Sequence, residues 1–378
     1  MTDGRRVVAL VGVGLALAVM AWVILRGDGS EDAGDAAKTA GGERSSVELR
    51  GYEPATPALL AAAGWRTEIA VPAALARVRI SSVSRDDFVP IRDPLHARAD
   101  ETDLAPEEPV LIVRGETEVR AWPLVWLLER ELVVDEVDGI PLVATFCSVC
   151  GTSRVWERRT EGTESGETLE LRVSGLLMDG NSLLYDEATE TLWRQDDGVA
   201  VVGARAGERL VEVPSFVLSL GALRGARADA LVMQAPAPDR VPGVQMISGE
   251  DVEAGIPPEW LQVACERPLE SVIRLDETTV VPVTGPVVEN IGEWVIFRDS
   301  TMASPFRGAQ GGPGPRVGGA VVFGRRVEGR LGELSVREGE IVDDQGRAWS
   351  ILGENKAGSS LSERTQARVG LRLAGWPR

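Results

Sequence analysis

The sequence predicts a mainly β protein, with a β-rich α+β fold, made of two related halves behind an N-terminal transmembrane helix. Short apolar runs separated by turn residues predict the strands. Three segments of the first half recur in the same order in the second half, and the first thirty residues contain an uninterrupted apolar run. At 378 residues and 44% hydrophobic content, the chain is long enough for two modest domains with cores.

The apolar run extends from Val7 to Leu25, which is just long enough to cross a bilayer as a helix. Arg5 and Arg6 precede it and an acidic segment follows, which predicts the N-terminus inside the cell and the body outside. The run lacks the shorter core and small-residue cleavage site of a signal peptide. Residues 1–26 are therefore predicted to be a retained, single-pass anchor in the cell membrane, with a periplasmic or extracellular C-terminal body.

The segment that follows the anchor is rich in Gly, Ala, Asp, Glu and Ser. Residues 27–63 are therefore predicted to be a flexible acidic linker. The folded body is predicted to contain a first β-rich repeat at 64–265 and a second, degenerate β-rich repeat at 266–378. A formal net charge of −18 argues against nucleic acid as a partner.

The elements of the first repeat follow from periodicity and turn residues. A helix is predicted over Pro123–Leu132, because leucines recur there at helical spacing and proline stands near its start. Turns are predicted at 115–117, 138–139 and 179–181. Strands are predicted at 109–114, 118–122, 142–146, 153–158, 169–173 and 183–185.

Three pairs of similar segments predict an internal duplication. They are Val133–Gly139 with Val287–Gly292, Val155–Arg159 with Val322–Arg326, and Tyr185–Trp193 with Ile341–Trp349. The first and last pairs are offset by 154 and 156 residues, and the Gly/Pro-rich loop at 308–319 accounts for a longer offset in the middle pair. The second copy has no Cys pair, so thiol chemistry is confined to the first.

A tight thiol pair, Cys147-Ser-Val-Cys150-Gly151, stands at the end of a predicted strand. This spacing is that of a metal knuckle, but a closed tetrahedral zinc site needs two more ligands. Cys265 and His96 are the remaining Cys and His residues, and neither belongs to a second knuckle. The cofactor is unknown; a thiophilic metal such as copper or zinc is compatible with the pair, and Cu(I) accepts two-coordinate binding.

Three other interpretations of Cys147 and Cys150 stay open. Dithiol–disulfide exchange suits an oxidising compartment, although thioredoxin-like sites place the pair at a helix start and here a strand follows. A small-loop structural disulfide is common outside the cytoplasm. The thiols could also be inert.

A dense polar and aromatic run follows the thiol pair. Its candidate pocket residues are Ser174, Asn181, Tyr185, Asp186, Trp193 and Gln195. The alternative is turn chemistry, in which Asp186 and Thr189 close a hairpin and Trp193 belongs to the core. The second copy keeps Asp343 and Trp349 but loses the Ser, Asn and Tyr, which favours Ser174, Asn181 and Tyr185 as site residues.

Two common enzyme classes lack their motifs. A single His, His96, in an irregular segment gives a Ser/His/Asp hydrolase no general base. The Gly-rich segment 308–315 has no Gly-Lys-Ser/Thr sequence and is typical of a surface loop, not of a phosphate-binding loop.

The Cys pair and the polar run resemble a bacterial family, the domain of unknown function 3179. The resemblance depends on the motifs Phe146-Cys147-Ser-Val-Cys150-Gly151 and Ser174 to Gln195, with Asp87–Pro94 and Ala121–Leu124 upstream. The resemblance covers about Ser81 to Val213. It implies that many members are exported, and it implies no established activity.

Two departures from the family pattern concern histidine. Where the family carries a His-Glu pair before a Val-Asn-Asp segment, this chain has Arg130-Glu131 before Val134-Asp135-Glu136. A downstream His-Pro and Trp of the family are absent from 214–231. A family metal site built on those histidines would be lost here.

The resulting hypothesis is a membrane-anchored, extracytoplasmic protein with a thiol-dependent metal-binding or redox function at Cys147 and Cys150. The alternative is a non-enzymatic envelope binding or structural module whose Cys pair is a structural disulfide. Residues 7–25 predict the membrane as a partner. No reaction, and no small-molecule or protein partner, follows from the sequence.

Overall fold

A computed structural model describes residues 53–66, 75–80, 85, 88–148, 151–162, 168–236, 270–275, 280–305, 314, 316–327, 330–357, 359–363 and 368–372. None of the helices in these ranges has the length and apolar composition that a bilayer-spanning segment requires. The predicted span at 7–25 lies outside them, as do most of the predicted linker and the predicted repeat boundary at 265 and 266.

The described chain is mainly β, which confirms the β-rich part of the predicted fold class. The strands of the first half begin with β1 Glu53–Pro54, β2 Val78–Ile80, β3 Ile91–Arg92, β4 His96–Arg98, β5 Pro109–Arg114, β6 Val119–Pro123, β7 Leu132–Val137, β8 Ile140–Phe146 and β9 Ser153–Thr160. They continue with β10 Leu171–Met178, β11 Asn181–Asp186, β12 Leu192–Arg194, β13 Ala200–Val202, β14 Leu210–Val213, β15 Phe216–Ser219 and β16 Leu231–Met233.

The second half is also made of strands. They are β17 Glu270–Arg274, β18 Val280–Pro282, β19 Val288–Ile291, β20 Trp294–Asp299, β21 Gly319–Gly324, β22 Arg326–Val327, β23 Arg330–Leu331, β24 Leu334–Arg337, β25 Glu340–Asp343, β26 Ala348–Trp349, β27 Ser362–Glu363 and β28 Arg368–Arg372. Short helices complete the described structure: α1 Pro57–Ala62, α2 Leu124–Arg130 and α3 Leu220–Ala226.

The strands form three larger sheets. The outer sheet has the order β1-β2-β10-β11-β12-β13, and the middle sheet has the order β14-β9-β8-β7-β3. The large sheet has the order β19-β20-β21-β15-β5-β6-β16-β4, and β27 also pairs with β21. Smaller sheets are β18-β17-β28, β22-β23 and β24-β25-β26. Strands from both halves share the large sheet, where Val217 of β15 pairs with Ala320 of β21.

Two hydrophobic clusters hold the middle sheet between its neighbours. Trp156 and Leu132 of the middle sheet pack with Trp193 and Leu184 of the outer sheet. On its other face, residues such as Phe146 pack with the large sheet and with α2. The β8–β9 connection, which carries the thiol pair, therefore emerges from a strand that is covered on both faces.

The helix α2 is bounded by local chain chemistry. Pro123, at φ −59°, precedes it, and Glu131 ends it in the left-handed region at φ +58° while donating its N–H to Leu127 O at 2.6 Å. The helix is shorter than the predicted 123–132, because Leu132 and the β-branched residues after it pair with β8 as strand β7. The strands β5, β6 and β8 to β11 are found near their predicted positions, whereas β7 was not predicted.

The end of the segment predicted as a linker is ordered. Residues 53–63 contain β1 and α1, and Thr56 caps α1 by accepting a hydrogen bond from Leu59 N at 3.2 Å. Leu60 is buried against the outer face of the outer sheet. This segment differs from its prediction because its few apolar side chains find a surface that composition alone does not reveal.

Candidate functional site

Cys147 directly follows the last residue of β8, at a strand end as predicted. Cys147 N donates to Thr152 O at 2.9 Å, and Gly151 N donates to Cys147 O at 2.8 Å. Gly151 has φ +69°, a conformation that glycine adopts without a Cβ penalty. Val149 and Cys150 lie outside the described residues.

The Cys147 side chain is fully buried, and its sulfur faces the outer sheet. Ser182 of β11 donates to Sγ twice, from its backbone N at 3.4 Å and from its hydroxyl at 3.3 Å. Two donors aimed at one sulfur favour negative charge on that sulfur, since hydrogen bonds to a charged form stabilise it.

A buried carboxyl group contacts the same loop. Glu131 is 6% exposed, and its carboxylate accepts a hydrogen bond from the hydroxyl of Ser148, the residue directly after Cys147. Glu131 O also accepts from Phe146 N at 3.0 Å. Burial raises the pKa of Glu131 from its ordinary 4.5 to about 7, although the hydrogen bonds from Ser148 oppose the rise. This carboxyl can therefore take up or release a proton near neutral pH.

A buried amide network fixes the far side of the loop. Gln195 Oε1 accepts from Thr152 Oγ1 and from Asn181 Nδ2, each at 2.8 Å. Gln195 Nε2 donates to Thr145 Oγ1 at 3.0 Å and to Thr152 O at 3.1 Å. Asn181 Oδ1 accepts from Asp196 N at 3.1 Å. The structure thus brings Asn181 and Gln195 together at the Cys147 loop.

The predicted pocket residues Ser174 and Tyr185 have other surroundings. Ser174 lies at an irregularity of β10, where its hydroxyl donates to Leu183 O at 2.5 Å and accepts from Leu176 N at 3.0 Å. Tyr185 packs edge-on against Trp65, with ring centroids 5.1 Å apart, in the cluster on the outer face of the outer sheet.

Asp186 and Trp193 are joined to each other in the core. Trp193 Nε1 donates to Asp186 Oδ2 at 3.1 Å, and Thr189 donates to Asp186 from both its backbone N and its hydroxyl at 2.8 Å. In the second half, Trp349 Nε1 donates to Asp343 Oδ2, also at 3.1 Å. These pairs close β-hairpins, the arrangement expected of the turn-chemistry alternative.

His96 is part of a separate polar cluster. Its Nε2 lies 3.0 Å from Asp135 Oδ2 and 3.2 Å from Arg120 Nη1, and Trp122 Nε1 donates to Asp135 Oδ2 at 2.9 Å. Burial of Asp135 opposes its ionisation, but hydrogen bonds from His96 and Glu136 N and the charge of Arg120 outweigh burial and lower its pKa.

The two sequence-predicted extra metal ligands are not brought to the Cys147 loop by any described contact. His96 belongs to the Asp135 cluster, and Cys265 lies outside the described residues, as Cys150 does. Across the ranges that the structure describes, no group of three or more His, Cys, Asp and Glu side chains is arranged to hold a metal ion.

Sequence reasoning missed three contributors to this site: Glu131, Ser182 and Thr152. The one sequence signal for Glu131 was its position in the His-Glu pair of the family, in which Arg130 replaces the His in this chain. Ser182 lies inside the polar run, between the chosen Asn181 and Tyr185, and a period-two count along β11 would have placed it on the face of the buried Leu184.

The comparisons with known proteins concern the first half of the chain. Residues 85–241 match the family model described as "Protein of unknown function (DUF3179)". The matched region contains the Cys147 loop, Glu131 and the Gln195 network. No curated protein and no solved structure matches this chain.

Proposed function

We propose that Cys147 and Cys150 carry out dithiol–disulfide exchange. Both cysteines lie within residues 85–241, through which this chain matches the DUF3179 family. The observation that carries this proposal is the buried carboxyl group of Glu131. Its pKa is about 7, and it accepts a hydrogen bond from Ser148 between the two cysteines. A proton acceptor poised near neutral pH is what a buried thiol needs when it becomes a nucleophile.

The burial of Cys147 assigns the two thiols different roles. A partner's disulfide cannot contact a fully buried sulfur, so the first attack comes from the thiolate of Cys150. This attack forms a mixed disulfide with one partner sulfur and releases the other partner sulfur as a thiol, with a proton from solvent.

Cys147 completes the exchange. Its thiol proton passes to the Glu131 carboxylate, and its sulfur attacks Cys150 and displaces the second partner thiol. The chain loses two electrons and gains a Cys147–Cys150 disulfide, while the partner's disulfide is reduced to two thiols. The donors from Ser182 stabilise the Cys147 sulfur while it is charged.

The test is a redox titration of the full-length chain in detergent micelles against glutathione buffers. We expect a disulfide between Cys147 and Cys150 that forms and breaks reversibly in the folded protein. We also expect Glu131→Gln to slow the second, intramolecular step at neutral pH, since the carboxylate that receives the proton is gone. Glu136→Gln, an exposed change on β7, is the control and leaves the rate unchanged.

Two outcomes contradict exchange and support the other hypotheses. A disulfide that excess dithiothreitol reduces only after unfolding supports a structural cross-link in a non-enzymatic envelope module. Near-stoichiometric metal bound to reduced cysteines, measured in the same sample, supports a metal site in which Cys147 and Cys150 hold a thiophilic ion such as copper or zinc.

The proposal includes a membrane anchor at residues 7–25 and a body outside the cytoplasm. The apolar run and its flanking charges support it, and an oxidising compartment suits thiol exchange. We expect the chain to stay in the membrane pellet at alkaline pH and its body to be cut by protease added to spheroplasts. A body protected from external protease would refute this orientation.

We also propose that the two halves arose by duplication. The matched segments occupy the first and third strands of two meanders, β7-β8-β9 and β19-β20-β21, and then two Asp–Trp hairpins. The preceding turns agree as well, with positive φ at Asp179-Gly180 and at Glu338-Gly339. An experimental structure in which these strands fail to superpose in one common frame of each half would contradict the proposal.

A further inference from the structure

Helix α2 carries buried hydrogen-bond donors that no described group satisfies. Arg130 is 2% exposed, and its Nε and Nη1 have no hydrogen-bond partner within the described chain. Trp126 Nε1 is likewise buried and unpartnered there. Residues four apart project from the same side of a helix, so the indole and the guanidinium share one face of α2.

The positive charge of Arg130 is compensated only in part. Burial lowers the pKa of Arg130, and the one carboxylate that raises it is Glu129. Burial raises the pKa of the neighbouring Glu131 to about 7, so this carboxyl group is only partly ionised at neutral pH, and it accepts a hydrogen bond from Ser148. An arginine stays protonated at any physiological pH, so a buried guanidinium remains here with donors to spare.

We propose that Arg130 and Trp126 form a subsite for the carboxylate of a small organic anion. A carboxylate offers two oxygens and a single negative charge, which match one guanidinium and the adjacent indole N–H. Phosphate and sulfate carry two charges on one compact group and would place more negative charge beside Glu129 than a carboxylate does. Arg130 directly precedes Glu131, whose carboxylate accepts a hydrogen bond from Ser148 in the Cys147 loop.

The proposed subsite does not depend on thiol exchange, because its test measures the binding of an anion. We would titrate acetate and succinate, and separately sulfate and phosphate, into the full-length chain in neutral detergent micelles at constant ionic strength. Thermal unfolding and calorimetry would follow each titration. We expect a saturable rise in Tm with the carboxylates and little or none with sulfate or phosphate.

Three variants locate the binding. We expect Arg130→Met to weaken carboxylate binding at least about tenfold, since it removes the hydrogen bonds to a charged group. Arg130→Lys keeps the charge but loses the planar fork, so its affinity falls in between; it also serves if Arg130→Met does not fold. Trp126→Phe weakens binding several-fold. Arg159→Met, an exposed arginine of β9, is the control.

The result that overturns the proposal is a wild-type Tm that acetate and succinate leave unchanged. Equal affinity in the wild type and in the Arg130 variants overturns it as well, since binding would then lie elsewhere. Stronger binding of sulfate or phosphate would refute the carboxylate class. Loss of exchange in Cys147→Ser with unchanged carboxylate binding would separate this subsite from the thiol chemistry.

Discussion

Replacing Glu131 by Gln isolates the cost of placing a carboxyl group beside the Cys147 loop. Gln keeps the size of the side chain and an oxygen that accepts from Ser148, but it cannot ionise. The difference in unfolding free energy between the variant and the wild type therefore reports the ionisation of this one group.

The magnitude follows from the pKa of Glu131, which is about 7 in the folded chain and 4.5 ordinarily. Each unit of difference corresponds to about 1.4 kcal/mol, so ionisation destabilises the folded wild type by about 3 kcal/mol. The folded state binds more protons than the unfolded state between pH 4.5 and pH 7, so stability falls as the pH rises through that window. The penalty is absent below the window and complete above it.

The assay is urea unfolding of the full-length chain in micelles, followed by tryptophan fluorescence at pH 4 and pH 8. We expect the unfolding free energy of Glu131→Gln, taken relative to the wild type, to be about 3 kcal/mol higher at pH 8 than at pH 4. Glu136→Gln, an exposed change on the adjacent strand, is expected to show no such pH dependence. A difference between Glu131→Gln and wild type that is the same at both pH values would refute the reasoning.

Two further predictions concern stability, and the same unfolding assay measures both. Gly198→Ala forces a side chain onto φ +69°, with its Cβ 2.8 Å from the Trp156 ring, and is expected to cost about 2–4 kcal/mol. Gly162→Ala, at φ +77° with open space around it, should cost only about 1 kcal/mol, and equal costs would contradict the steric argument. Gln195→Leu removes the buried hydrogen bonds that Gln195 Oε1 accepts from Asn181 and Thr152 and should cost about 2–4 kcal/mol; a loss below 1 kcal/mol would show that the network does not hold the loop.

Local chain chemistry was enough to predict much of the first half. The apolar run at β5 and the apolar run that ends at Cys147 predicted strands, and both strands are found. The leucine spacing after Pro123 predicted α2 for the same reason: periodicity is a property of neighbouring residues. The end of the predicted linker contains a strand and a helix that the sequence did not predict. The burial of Leu60 there depends on a sheet formed by residues more than a hundred positions away.

The polar run shows the limit of sequence pattern most clearly. Composition predicted that Asn181, Tyr185 and Gln195 lie together, whereas strand pairing sends Asn181 and Gln195 to the Cys147 loop and packs Tyr185 against Trp65. The direction of a side chain depends on register, and a shift of one residue reverses every face.

Short, contiguous patterns were enough to predict the β-rich class, the position of Cys147 at a strand end and the resemblance to the DUF3179 family, whose model matches residues 85–241. The burial of Cys147 under Ser182 and the raised pKa of Glu131, about 7, depend on the packing of distant strands. Burial and hydrogen bonds from distant strands set these properties, and neither is encoded in residues that are adjacent along the chain.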